Sequence, residues 1–246
     1  MTMSTLALCF CVTCAAPLAS AQHADNAHHP NHAEKKAAIE SADTQVQPYT
    51  LGTCAVSGKE LGSKGEAIVK TYDGREVRLC CAGCVGTFEK NLEDSWKNVD
   101  EAMIKDQMLY YPLETCLVTG EELSEGGSME AINIVHGNRL VRLCCNMCKK
   151  KFSADPEKYI QELDRAVIEA QRDDYPLDSC VVSGGKLGSM GDPVEMVVAG
   201  RLVKLCCGGC KDKLSAEPSK YLQVIDNAWQ EQGKYMPAKQ TSKTGD

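Results

Sequence analysis

Large aromatic side chains are scarce: the 246-residue chain has only 3 Phe and 2 Trp. One large aromatic-rich core is thereby excluded, and a chain of this length is expected to fold as several small modules held by other chemistry. Positive charge is also short, with 27 Lys and Arg against 34 Asp and Glu and a net charge of −7, which argues against nucleic acid as a partner. Histidine is nearly confined to one stretch, His23, His28, His29 and His32, leaving His136 alone elsewhere and little scope for His-based catalysis. The apolar run from Leu6 to Leu18 is too short to span a bilayer. Nor is there a Gly-x-Ser-x-Gly elbow, a His-Glu-x-x-His pair, a phosphate loop or a Gly-x-Gly-x-x-Gly after a strand. The chain is therefore read as non-enzymatic.

What it has instead is cysteine, 15 in all. Cys9, Cys11 and Cys14 fall in an N-terminal segment whose apolar run ends in Ala19-Ser20-Ala21, a small-x-small cleavage pattern. Residues 1–21 thus read as a signal peptide, with no lipobox, which implies a periplasmic or secreted protein with no membrane attachment after cleavage. Residues 22–48, polar and without apolar period, read as a disordered linker. Its clustered imidazoles suit Cu(II), Ni(II) or Zn(II), or serve only as solvated polar residues. Cleavage leaves twelve cysteines.

Those twelve fall into three sets of four. Cys54, Cys116 and Cys180 are spaced 62 and 64 residues apart, and Cys80, Cys144 and Cys206 are spaced 64 and 62. Each copy opens with Tyr-x-Leu-x-(Thr/Ser)-Cys-x-Val-(Ser/Thr)-Gly, from Tyr49, Tyr111 and Tyr175. Each continues, 26 to 28 residues after that Cys, with Val-(Arg/Lys)-Leu-Cys-Cys-x-x-Cys ending at Cys84, Cys148 and Cys210. A period above 60 with a full set of elements per copy reads as tandem domains on a string, bounded at 49–110, 111–174 and 175–232, with a disordered tail at 233–246.

Within a copy, a strand, a tight turn and a second strand are expected around Asp73-Gly74, Gly137-Asn138 and Ala199-Gly200. Val77 and Leu79 then share one face and Arg78 points outward, as do Arg142 and Lys204. A helix follows, placing Cys84 with Phe88, Cys148 with Phe152 and Cys210 with Leu214 at i, i+4 on one face. A second helix is capped by Asp155-Pro156 or Glu217-Pro218, with Asn91-Leu92 in the first copy. Its expected core stripes are Trp96, Val99 and Met103; Tyr159, Leu163, Val167 and Ala170; and Tyr221, Ile225, Ala228 and Trp229. The fold class is thus small α+β modules, three tandem treble-clef-like ββα domains joined by helices. In that layout thiolates from a knuckle and a helix N-terminus converge on one point, where the helix dipole favours the anionic ligand.

The order Cys54-Ala-Val-Ser-Gly, hairpin, Leu79-Cys80-Cys81-Ala-Gly-Cys84, then Phe88, with Asp155-Pro156-Glu-Lys158-Tyr159 in the second copy, resembles the YHS and TRASH domains. These are small cysteine-containing modules associated with heavy-metal binding and metal trafficking. The resemblance implies a treble-clef-like fold and metal–thiolate coordination, with Cys80 and Cys84, Cys144 and Cys148, and Cys206 and Cys210 matching the family's Cys-x3-Cys. It also implies a metal-trafficking partner. One departure is plain: a common family knuckle has Cys directly before the Gly, where this chain has Ser57, Thr119 or Ser183.

The expected ligands are Cys54, Cys80, Cys81 and Cys84; Cys116, Cys144, Cys145 and Cys148; and Cys180, Cys206, Cys207 and Cys210. They would hold up to one Zn2+ or Cu+ per module. Cys81, Cys145 and Cys207 could supply the fourth ligand that the knuckle lacks, since three thiolates alone leave trigonal Cu+ or an open zinc position. Two other outcomes stay open. Export favours disulfides, which would make the copies stapled protein-interaction modules, and an exposed low-pKa thiol with a resolving partner would make a redox protein.

Overall fold

The computed structural model describes residues 47–123 and 131–233; the expected signal peptide, nearly all of the His-containing segment and the tail after Gly233 lie outside them. Three β-hairpins are each followed by two helices. The first unit has β1 (Ile68–Tyr72), β2 (Arg75–Leu79), α1 (Ala82–Lys90) and α2 (Leu92–Met108). The second has β3 (Ile132–His136), β4 (Arg139–Leu143), α3 (Asn146–Ala154) and α4 (Pro156–Gln171). The third has β5 (Val194–Val198), β6 (Arg201–Leu205), a 3₁₀ turn at Gly208–Cys210, α5 (Lys211–Ala216) and α6 (Pro218–Gln232). The chain is a small α+β protein of three repeated hairpin-plus-helix units.

Each hairpin is a separate two-stranded antiparallel sheet in one register, Ile68 opposite Leu79, Ile132 opposite Leu143 and Val194 opposite Leu205. Both turn residues have positive φ, 49° and 75° at Asp73-Gly74, 52° and 66° at Gly137-Asn138, and 47° and 76° at Ala199-Gly200. This left-handed pair matches the right-handed twist of the strands and fixes the register. Inward residues Val77 and Leu79 then meet Tyr49, Phe88, Val99 and Met103, and Val141 and Leu143 meet Phe152, Leu163 and Val167.

Packing between units decides two features that the repeat alone leaves open. The copies are not beads on a string, because the long helices α2 and α4 lie against the hairpin of the next unit. Leu202 of β6 belongs to the core of the second unit, and Val135 of β3 packs on that of the first. This second contact moves the buried stripe of α4 to Leu163, Val167, Ile168 and Gln171, while Ala170 is exposed. Arg78 points away from its own core, as strand alternation predicts, and is buried there by a neighbouring unit. Its guanidinium donates to the backbone oxygens of Ala216 and Ser215 at 2.6 and 2.8 Å, so the end of α5 closes back on the first unit.

Candidate metal centres

Each cysteine set is assembled by the same three local structures. The knuckle turn is closed by the Gly58 N–H donating to the Cys54 carbonyl at 2.9 Å, and the Ala55 N–H donates to Arg78 O at 3.2 Å, tying the knuckle to β2. The second unit repeats both bonds, Gly120 to Cys116 at 2.8 Å and Leu117 to Arg142 at 3.2 Å. Cys80, Cys144 and Cys206 directly follow the last strand residue. Cys81, Cys145 and Cys207 then take extended backbone at the helix start, and Cys84, Cys148 and Cys210 fall in the first helical turn with their Phe88, Phe152 and Leu214 anchors buried.

The result is three buried triads, Cys54 with Cys80 and Cys84, Cys116 with Cys144 and Cys148, and Cys180 with Cys206 and Cys210, whose sulfurs all lie within 4.8 Å of one another. Measured pairs are Cys80–Cys84 3.6 Å, Cys144–Cys148 3.5 Å, Cys180–Cys210 3.8 Å and Cys206–Cys210 3.8 Å. Four sulfurs around a tetrahedral zinc with bonds of about 2.3 Å lie about 3.8 Å apart, so these spacings admit an ion with little movement. The twelve cysteines of the described residues are free thiols.

Ionisation within each triad is uneven. Burial opposes the charged form of Cys54, but hydrogen bonds from the Ser57 hydroxyl and the N–H groups of Ser57, Val56 and Cys80 outweigh it and bring the thiol down to about 6. The same balance, with Ser183, brings Cys180 to about 6, and with Thr119 it brings Cys116 to about 7. Burial and the neighbouring thiols push Cys84 and Cys210 up to about 12 and raise Cys148. The knuckle thiolate is therefore the first ligand offered, and an arriving cation has to displace protons from the helix cysteines.

The remaining expected ligands sit at the rim. Cys81 and Cys145 are partly exposed, with sulfurs 3.6 Å from Cys84 and 3.7 Å from Cys148, and Cys207 is 4.0 Å from Cys206. Backbone N–H groups at the helix start lower all three thiols, led by that of Cys84 for Cys81, Cys148 for Cys145 and Gly209 for Cys207. His136 lies edge-on to Phe152, and each triad consists of cysteine alone.

Sequence reasoning noticed the knuckle hydroxyls only as missing cysteines. In the structure they face the sulfurs, Ser57 Oγ at 3.4 Å from Cys80, Thr119 Oγ1 at 3.7 Å from Cys144 and Ser183 Oγ at 3.2 Å from Cys206. It missed Glu121, whose carboxylate lies 3.7 Å from Cys144; its place five residues after the knuckle Cys was the available signal. Comparison of the chain with protein-family models, with curated proteins and with solved structures gave no match.

Proposed function

We propose that this chain is an exported, non-enzymatic metal-binding protein that carries one Zn2+ or Cu+ in each of three treble-clef-like modules, for storage, buffering or delivery to a metal-trafficking partner. The observation that carries the reading is the threefold recurrence of a buried Cys triad at ligand spacing. Three converging thiolates are a soft donor set that suits Cu+ or Zn2+, and burial excludes competing water. The resemblance to YHS and TRASH domains supports the same chemistry, and the Leu6–Leu18 run with Ala19-Ser20-Ala21 supports export. The rim thiols Cys81, Cys145 and Cys207 are accessible to an incoming thiolate of a partner, as ligand exchange in delivery requires.

The test is a free-thiol count combined with metal content by native mass spectrometry on protein from the exporting compartment. The expected result is up to three ions per chain with the triad cysteines reduced. Less than one ion per chain with all twelve cysteines oxidised would overturn the proposal and favour stapled interaction modules.

A further inference from the structure

One backbone hydrogen bond recurs in the three knuckles. The N–H of Cys54, Cys116 and Cys180 donates to the carbonyl of the residue five places on, Lys59, Glu121 and Gly185, at 2.7, 2.7 and 2.8 Å. That position is therefore equivalent in the three units, yet it carries a cation in the first, a carboxylate in the second and no side chain in the third. Glu121 Oε2 stands 3.7 Å from Cys144 Sγ, and the Thr119 hydroxyl donates to the same oxygen at 3.4 Å. Sulfur and oxygen ligands on one tetrahedral zinc, with bonds of about 2.3 and 2.0 Å, lie about 3.5 Å apart. The carboxylate thus stands beside one thiol of the triad at close to zinc-ligand spacing, on an exposed side chain free to turn further toward the other two, with a hydroxyl that touches both it and Cys144.

A carboxylate changes which ion a thiolate triad prefers. It is a hard oxygen donor that Zn2+ accepts readily and that soft Cu+ gains little from. It also adds one negative charge, which favours a divalent over a monovalent cation, whereas the equivalent residue of the first knuckle, Lys59, is a cation. Cys145 does not account for any difference among the units, because Cys81 and Cys207 occupy the same place in the other two.

Resting on the metal-binding reading above, we propose that Cys116, Cys144, Cys148 and Glu121 form a three-sulfur, one-oxygen site selective for Zn2+, while the triads of the first and third units favour Cu+. The three sites are then not copies but a mixed pair of classes, set by one residue in each knuckle. Binding is ligand exchange only: each cysteine still protonated gives up its proton to solvent as its sulfur binds, the knuckle sulfur binds as the thiolate, and no electron moves.

The experiment loads the full chain with Zn2+ alone or Cu+ alone, challenges it with a chelator, and reads protection of each cysteine by alkylation and peptide mass spectrometry. Zn2+ is expected to protect Cys116, Cys144 and Cys148 longest. Glu121→Gln, at an exposed position, should weaken Zn2+ at that triad alone, on the order of 10- to 100-fold, and leave Cu+ protection of all three unchanged. Lys59→Glu should extend Zn2+ protection to Cys54, Cys80 and Cys84. Equal Zn2+ protection of the three triads, or an unaltered Glu121→Gln variant, would overturn the selectivity while leaving metal binding intact. No protection at any triad by either ion would overturn both readings.

Discussion

The tip of the first hairpin, Asp73-Gly74, is exposed to solvent, whereas that of the third, Ala199-Gly200, is buried, although strand length, register and turn are the same. What differs is the element that comes before. The third hairpin receives α4: Gln171 donates from Nε2 to Gly200 O at 2.8 Å and accepts from the Leu202 N–H at 2.7 Å. The second receives α2 through Gln107 in the same way, at 2.8 Å to Asn138 O and 2.9 Å from the Leu140 N–H. No described helix precedes the first hairpin, and the place of Leu140 and Leu202 is taken by Glu76, which accepts from the Tyr49 N–H and from Arg78. Arg201 adds a further tie, lying buried between Asp106 of α2 and Asp226 of α6 and 3.8 Å from the Tyr110 ring. Equivalent local structure is thus stabilised by non-equivalent neighbours, and a helix that ends one unit completes the core of the next.

Truncating the apolar contact between the units should have the largest effect. Leu202→Ala should cost about 2–5 kcal/mol, since the side chain is fully buried, against about 1 kcal/mol for Glu76→Ala at the matching place, where one or two hydrogen bonds are lost. Urea unfolding measures both, and equal costs would show that the interlock contributes nothing. Gln171→Ala should follow at about 2–4 kcal/mol, because it leaves a buried carbonyl and a buried N–H without partners. Gln171→Glu should fail to restore stability, because a carboxylate has no donor for Gly200 O. Arg78→Met should cost about 1.5–3 kcal/mol through two charged hydrogen bonds; a loss below about 0.5 kcal/mol would show that the third unit does not close on the first.

The smallest difference between units lies in the knuckle thiols. In metal-free protein Cys54 and Cys180 should ionise near 6 and Cys116 near 7, followed by thiolate absorbance or the pH profile of alkylation. These folded values lie below the ordinary 9.0, so their stabilising contribution is complete above pH 9 and disappears as pH falls through 7 and then 6. Cys84 and Cys210, raised to about 12, act in the opposite direction and only above pH 9. The stability of the metal-free protein should therefore rise between pH 6 and 9, and a flat profile would contradict the hydrogen-bonded thiolate.

Much of each unit was legible in the chain. Periodicity of two placed Val77 and Leu79 inside, turn pairs located the hairpins, and the i, i+4 spacing of Cys84 with Phe88 put thiol and anchor on one face. Alternation also put Arg78 on the opposite face, but it shows only which way a side chain points, not that Ser215 and Ala216 come to cover it. Ala170 was chosen over Ile168 and Gln171 because a stripe drawn for one partner surface cannot describe a helix that faces two. Glu121 is not legible from the repeat, because Lys59 and Gly185 stand at its place in the other two copies.

The repeat, the three hairpin-plus-helix units and the gathering of cysteines at each helix start follow from the order of residues alone, since all of these depend on contacts between residues near in the chain. That the units share cores, that the buried Arg78 and Arg201 have partners far away, and that Glu121 stands beside Cys144 came only from the folded arrangement. Those outcomes depend on which surfaces meet in space, and spacing along a chain carries no record of that.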